Sequence, residues 1–179
     1  MGIDNYGYNI AVLYGKIRQY TQPYINKYIN YEPNISEVYE NKIYISDFAT
    51  SCDIDLLKEI GITHIIIAVI GIDPLFPSDF EYLKLDMPDV NNCNLISYIY
   101  KSKVFIDDAI KNNGKVLVHC MYGISRSVSI VCGYLMYTNN WTYDKAIITI
   151  KSKRINAKPN DGFIFQLNDI SKLLNITKV

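Results

Sequence analysis

The stretch Val116-Leu117-Val118-His119-Cys120-Met121-Tyr122-Gly123-Ile124-Ser125-Arg126-Ser127 decides how the rest of the chain is read. It opens on an apolar run, crosses a segment containing Gly123 and Ser125, and continues into the apolar-rich residues that follow Ser127. The opening, Val116 to His119, reads as a central strand, and the residues from about Arg126 to Tyr137 read as a helix. In a tight loop between strand and helix, successive main-chain N–H groups point inward and form an anion cradle. Gly123 permits the sharp backbone path. Arg126 stands at the helix start, where its planar fork grips two oxygens of one phosphate. Cys120 opens the loop, so its sulfur faces the centre of the cradle. Only the thiolate is a nucleophile, and an ordinary Cys, with a pKa of about 8.5, is mostly protonated at neutral pH. A helix N-terminus with nearby cations lowers that value to roughly 3.5–7.5. His119 is expected to orient and polarise the loop from behind, and Ser127 to donate a hydrogen bond to the leaving sulfur. Met121, Tyr122, Gly123, Ile124 and Ser125 form the rest of the phosphate-binding loop. A single Cys is more often a small core residue. The whole pattern of strand, His-Cys, five intervening residues, Arg-Ser and apolar helix is far more specific than a lone Cys.

Outward from this stretch, strands and helices alternate, which argues for an α/β domain. Ile43 to Ser46 is a short strand candidate. Asp53 to Ile60 reads as a helix with Asp53 as cap and Gly61 as stop. His64 to Val69 is a continuous Ile/Val-rich run, the pattern of a strand buried on both faces. Tyr82 to Leu85 is another short strand. Leu95 to Lys111 reads as a helix capped by Asn94 and stopped at Asn113-Gly114. Thr142 to Lys153 is a further helix, and Pro159-Asn160 begins the last. In the first forty residues, Tyr8 to Gln19 reads as an amphipathic helix, with breaks expected at Gln22-Pro23 and Glu32-Pro33.

The chain has 179 residues, enough for one domain, and nearly half are apolar. Acidic and basic residues balance at 18 each, so neither nucleic acid nor an anionic membrane is an expected partner. No apolar run reaches bilayer-spanning length, and the first twenty residues lack a signal-peptide pattern. An intracellular, cytoplasmic location is expected, with nuclear access left open. Cys52, Cys93, Cys120 and Cys132 lack CxxC pairing, and with two His in the chain neither a disulfide framework nor a zinc site is expected. Cys132, among Val128, Ile130, Val131 and Leu135, reads as core. Trp141 and Tyr143 read as packing residues.

His119 to Ser127 resembles the Cys-x5-Arg loop of the protein tyrosine phosphatase superfamily. With Gly123, Ser125, Arg126 and Ser127 it is most similar to the dual-specificity branch. The likeness runs from about Ile35 to Leu174. Val38-Tyr39 through Ile43-Tyr44-Ile45-Ser46 is similar to the family's first strand. Leu57 to Ile65 is similar to its helix and following strand, and Pro159-Asn160, Phe163 and Gln166-Leu167 to its closing helix. The resemblance implies a single α/β domain, a central, mostly parallel sheet flanked by helices, spanning 35–179. An N-terminal extension, 1–34, expected to be helical, precedes it. It implies a general acid in Leu85-Asp86-Met87-Pro88-Asp89-Val90, on a loop that Pro88 stiffens. Asp89 falls where the family's acid falls, Asp86 is the runner-up and Asp79 a third option. Low-molecular-weight tyrosine phosphatases place the Cys before the acid, and rhodanese-like folds lack the upstream acid.

The implied activity is hydrolysis of phosphotyrosine and phosphoserine/threonine in proteins through a phosphocysteine, with no metal or organic cofactor. The implied partners are phosphorylated proteins. Met121, Tyr122, Ile124 and Ser125 bring no charge to the loop, whereas phosphoinositide phosphatases of this kind carry Lys there. Hydrolysis of phosphoinositides or RNA 5′-phosphate esters, and a weakly active phosphoprotein-binding role, stand as alternatives. Residues 26–30 faintly resemble a phosphotyrosine-recognition loop, a likeness read as coincidence. Cys52 or Cys93 would be the partner if oxidised Cys120 formed a protective disulfide, as in redox-regulated members. The Tyr-rich segment Tyr6 to Tyr31 has three fates open: packing on the body, which is favoured, a homodimer contact, or substrate binding.

Overall fold

The computed structural model describes residues 5–29 and 31–173. The outer ends of the expected division, 1–4 and 174–179, therefore lie outside the described residues. The chain forms α1 (Asn5–Tyr28), β1 (Ile35–Tyr39), β2 (Ile43–Ser46), α2 (Phe48–Ser51), α3 (Ile54–Ile60), β3 (His64–Ile67) and β4 (Glu81–Lys84). It continues through α4 (Leu95–Lys111), β5 (Val116–His119), α5 (Arg126–Asn139), α6 (Tyr143–Lys151) and α7 (Asp161–Leu173). The strands lie in the order β1-β2-β5-β3-β4, and only the β1–β2 pair is antiparallel. The expected mostly parallel sheet is present, and β5 occupies its centre.

Helix starts follow the cap chemistry written in the sequence. The side chains of Asp53, Asn94 and Thr142 accept hydrogen bonds from the main-chain N–H groups of Leu56, Ser97 and Lys145. The short α2 is capped the same way by Asp47, which accepts from Thr50 N. β2, β3 and β5 are buried along their whole length, as strands covered on both faces must be. α4 and α5 pack on each other and on β5, α6 and α7 pack on α5, and α6 reaches β1. Trp141 packs edge-on against Tyr39, with ring centroids 6.0 Å apart. Cys132 is fully buried in the same core.

Besides shifts of one or two residues at the ends of β4, α5 and α6, three differences from the sequence reading bear on the site. α1 extends beyond Tyr8 to Gln19 and passes through Gln22-Pro23, where a break was expected. A proline inside a helix removes one backbone hydrogen bond and costs about 3 kcal/mol. Tertiary contacts on either side hold the helix together: Gln22 is buried, and Asn26 Nδ2 donates to Ala49 O at 2.7 Å. The second difference is that Val38-Tyr39 belongs to a separate strand, β1. The chain turns back into β2 through Glu40 and Asn41, both at positive φ. The third is that β3 ends at Ile67 rather than Val69. Ala68 N still donates to His119 O, and the chain then leaves the sheet toward the cleft.

Candidate active site

The loop between β5 and α5 closes around one sulfur. Cys120 is 2% exposed, and its Sγ accepts from Gly123 N at 3.2 Å and Ser127 Oγ at 3.3 Å. Burial works against the charged thiolate. The Arg126 guanidinium, the Ser127 hydroxyl and the N–H groups of Ser127 and Tyr122 outweigh it, so the thiol titrates below its ordinary value. The cradle that suits a phosphate thus also ionises the nucleophile.

Gly123 carries φ +66°, and a Cβ there would stand 2.7 Å from Ser46 O and 2.3 Å from Arg154 Nη2. The loop therefore needs glycine for its backbone angle and for the space behind it. His119 is fully buried, with its ring 6.0 Å from that of Phe48. Burial lowers its pKa to about 4, against a hydrogen bond with the Cys120 main chain, so the ring is neutral at pH 7.

The three acid candidates separate cleanly. Asp79 pairs with Lys58 at 2.6 Å, away from the loop. Asp86 lies beside Lys84 at 3.8 Å and accepts from Gly71 N at 3.5 Å. Asp89 alone of the three reaches the sulfur's loop. Its Oδ1 accepts from Ser125 Oγ at 2.7 Å and Asn160 Nδ2 at 2.8 Å, and its Oδ2 lies 3.5 Å from Arg126 Nε. Arg126 also donates from Nη1 to Met87 O at 3.3 Å. Its buried Nε has no hydrogen-bond partner among the described residues, which leaves donors free for a phosphate.

Two supporting residues were given no role at the site by the sequence. Arg154, 3% exposed, donates from Nε to Gly123 O at 2.6 Å and from Nη1 to Ser36 Oγ at 3.2 Å. It ties the back of the loop to β1. A basic residue following a helix is usually solvated, so nothing local marked it. Asn160 sits in the recognised Pro159-Asn160 pair, yet its tie to Asp89 depends on the fold bringing residues 71 positions apart together. Cys52 and Cys93 are buried free thiols whose pKa values burial pushes up to about 12 and about 11.

Residues 43–172 match the family model for the dual specificity phosphatase catalytic domain. The chain is 37% identical over 146 residues to dual specificity protein phosphatase 1 of Arabidopsis thaliana, covering 82% of this chain and 74% of that one. It is 37% identical over 139 residues to dual specificity protein phosphatase 1B of the same plant, covering 78% and 83%. Among solved structures it resembles the human tyrosine phosphatase-like serine/threonine/tyrosine-interacting protein, with TM-score 0.73 and 32% identity over 79% of this chain and 98% of that chain.

Proposed function

This chain belongs to the dual specificity phosphatase family, and on that premise we propose that Cys120, Asp89 and Arg126 together hydrolyse phosphotyrosine and phosphoserine/threonine in proteins. The observation that carries the reading is the placement of Asp89 over a loop whose centre is an acidified thiol.

The Cys120 thiolate attacks phosphorus, and the bond from phosphorus to the ester oxygen breaks. The departing electron pair stays on that oxygen, which takes a proton from Asp89. The product of this step is a phosphocysteine. Asp89, now a carboxylate, takes a proton from water as the water oxygen attacks phosphorus. The sulfur–phosphorus bond breaks, inorganic phosphate leaves, and the thiolate returns to the hydrogen bonds of Gly123 and Ser127. In both steps the charge on the equatorial oxygens is met by loop N–H groups and the Arg126 fork, already in place before the reaction. Ser125 and Asn160 hold Asp89 at the cleft, and Arg154 holds the loop from behind.

The uncharged side chains of Met121, Tyr122, Ile124 and Ser125 favour a protein over a polyphosphorylated lipid or RNA end. Release of phosphate from phosphotyrosine and phosphothreonine peptides tests the reading. Cys120→Ser is expected to lower turnover by roughly 10⁴-fold or more, because oxygen at neutral pH is not ionised as the sulfur is. Turnover that survives this change would refute the assignment of Cys120.

A further inference from the structure

α1 lies outside the residues matched by the family model, yet it borders the catalytic cleft. A cavity of about 210 Å³ above the phosphate loop has Asp89 and Arg126 on its walls together with Tyr14 of α1, Ile70, Pro88 and Tyr122. The Tyr14 and Tyr122 side chains are neighbours on this wall, and Tyr122 pushes the Tyr14 pKa up. Both remain partly open to solvent, Tyr14 at 46% and Tyr122 at 62%, whereas Cys120 is sunk at 2%. Cys120 and Arg126 thus lie deep, while Asp89 and the two tyrosines stand nearer the rim.

The helix is pinned in that position. A Cβ on Gly15 would stand 2.5 Å from Ile70 O, and one on Gly71 would stand 2.6 Å from Val12 O, so the two backbones touch. Lys16 pairs with Asp73, Asp73 N donates to Gln19 Oε1 at 3.1 Å, and Lys84 holds the same Asp73 at 2.7 Å. Tyr14 therefore stands on a clamped element.

We propose that Tyr14, paired with Tyr122, is a specificity-determining residue that forms the aromatic side wall for the ring of a phosphotyrosine. The inference rests on the phosphatase reading above and adds a preference among its substrates. A phosphotyrosine carries its phosphate at the far end of a ring, so with phosphorus at Cys120 the ring spans the depth between loop and rim. There it meets apolar and aromatic walls. A phosphothreonine has no ring to fill that space, and its phosphate reaches the loop without packing on Tyr14. Ring–ring contact of this kind changes binding by a few-fold to about tenfold.

The test compares kcat/KM on matched phosphotyrosine and phosphothreonine peptides for the full chain, Tyr14→Ala, Tyr14→Phe and Gly15→Ala. Tyr14→Ala is expected to lower the phosphotyrosine value by about tenfold and leave the phosphothreonine value within about twofold. Tyr14→Phe keeps the ring and is expected to stay within about threefold on both. Gly15→Ala leaves the tyrosine intact but displaces its helix, and is expected to lose the same selectivity. Equal losses on both peptides, no change on either, or a Tyr14→Phe loss as deep as that of Tyr14→Ala would overturn the proposal. A full chain inactive on both peptides would overturn the phosphatase reading itself, and this proposal with it.

Discussion

The loop from His119 to Ser127 and the helix α1 border the same cleft, but they place their side chains in opposite ways. In the loop, Cys120 and Ser127 are buried, and Ser125 is tied to both Asp89 and Asn160. In α1 the inward stripe is small or polar, with Gly15, Gln19, Gln22 and Asn26 facing the body. The large apolar residues Ile10, Leu13, Ile17, Tyr20 and Tyr24 face outward. The helix does pack on its own domain, as expected, but through close backbone approach and hydrogen bonds instead of an apolar stripe. Chemistry sits where the sulfur and the carboxylate are each held by several hydrogen bonds. Shape at the rim sits on an element attached by a few contacts.

If that contrast is right, damage should fall steeply from the loop to the helix. Asp89→Asn keeps the shape but removes the transferable proton, and a loss of 10²–10⁴-fold in kcat is expected for peptide substrates. Near-normal turnover would remove Asp89 as the acid. Next comes acid sensitivity from His119. Its folded pKa, about 4, lies below the ordinary 6.5, so between these values the unfolded chain binds a proton that the native chain does not. Stability is then whole above about pH 6.5 and falls toward pH 4, by up to about 3 kcal/mol from this group. Urea unfolding at pH 7 and pH 4.5 measures the drop, and His119→Asn should flatten it.

Arg154→Met tests whether the loop depends on support from behind. It leaves the buried Gly123 carbonyl without its donor, at a cost of about 1–3 kcal/mol, and should lower Tm by about 5 °C. A kcat that stays level after this change would show that the loop holds its shape without β1. The smallest effect belongs to the outer face of α1. Leu13→Ser and Ile17→Ser remove side chains that are 61% and 52% exposed, and each should shift stability by less than about 0.5 kcal/mol. A larger loss in thermal unfolding would mean that this face is covered in solution, and would erase the contrast.

Much of the fold was legible because its signals are local. The caps Asp53, Asn94 and Thr142 lie within three residues of the N–H groups they satisfy. The burial of β3 and β5 is written in the runs Ile65-Ile66-Ile67 and Val116-Leu117-Val118. The loop from Cys120 to Ser127 was legible for the same reason, since sulfur, glycine, guanidinium and hydroxyl are close neighbours in the chain. α1 was misjudged at Pro23 because local propensity was outvoted by contacts to residues far away in sequence. Asp89, Arg154 and Asn160 belong to the site through hydrogen bonds that span 31 to 71 positions. The family resemblance ranked Asp89 ahead of Asp86 and Asp79, and packing ties it, alone of the three, to the loop.

The sequence by itself determined the strand, loop and helix that carry the sulfur, because backbone preference and side-chain chemistry there act over a handful of adjacent residues. Only the tertiary structure decided which carboxylate is tied to the phosphate loop, which buried arginine braces that loop, and that a tyrosine from the N-terminal helix stands at the mouth of the cleft. Those depend on where distant segments meet when the sheet is covered, and no local pattern encodes a meeting of that kind.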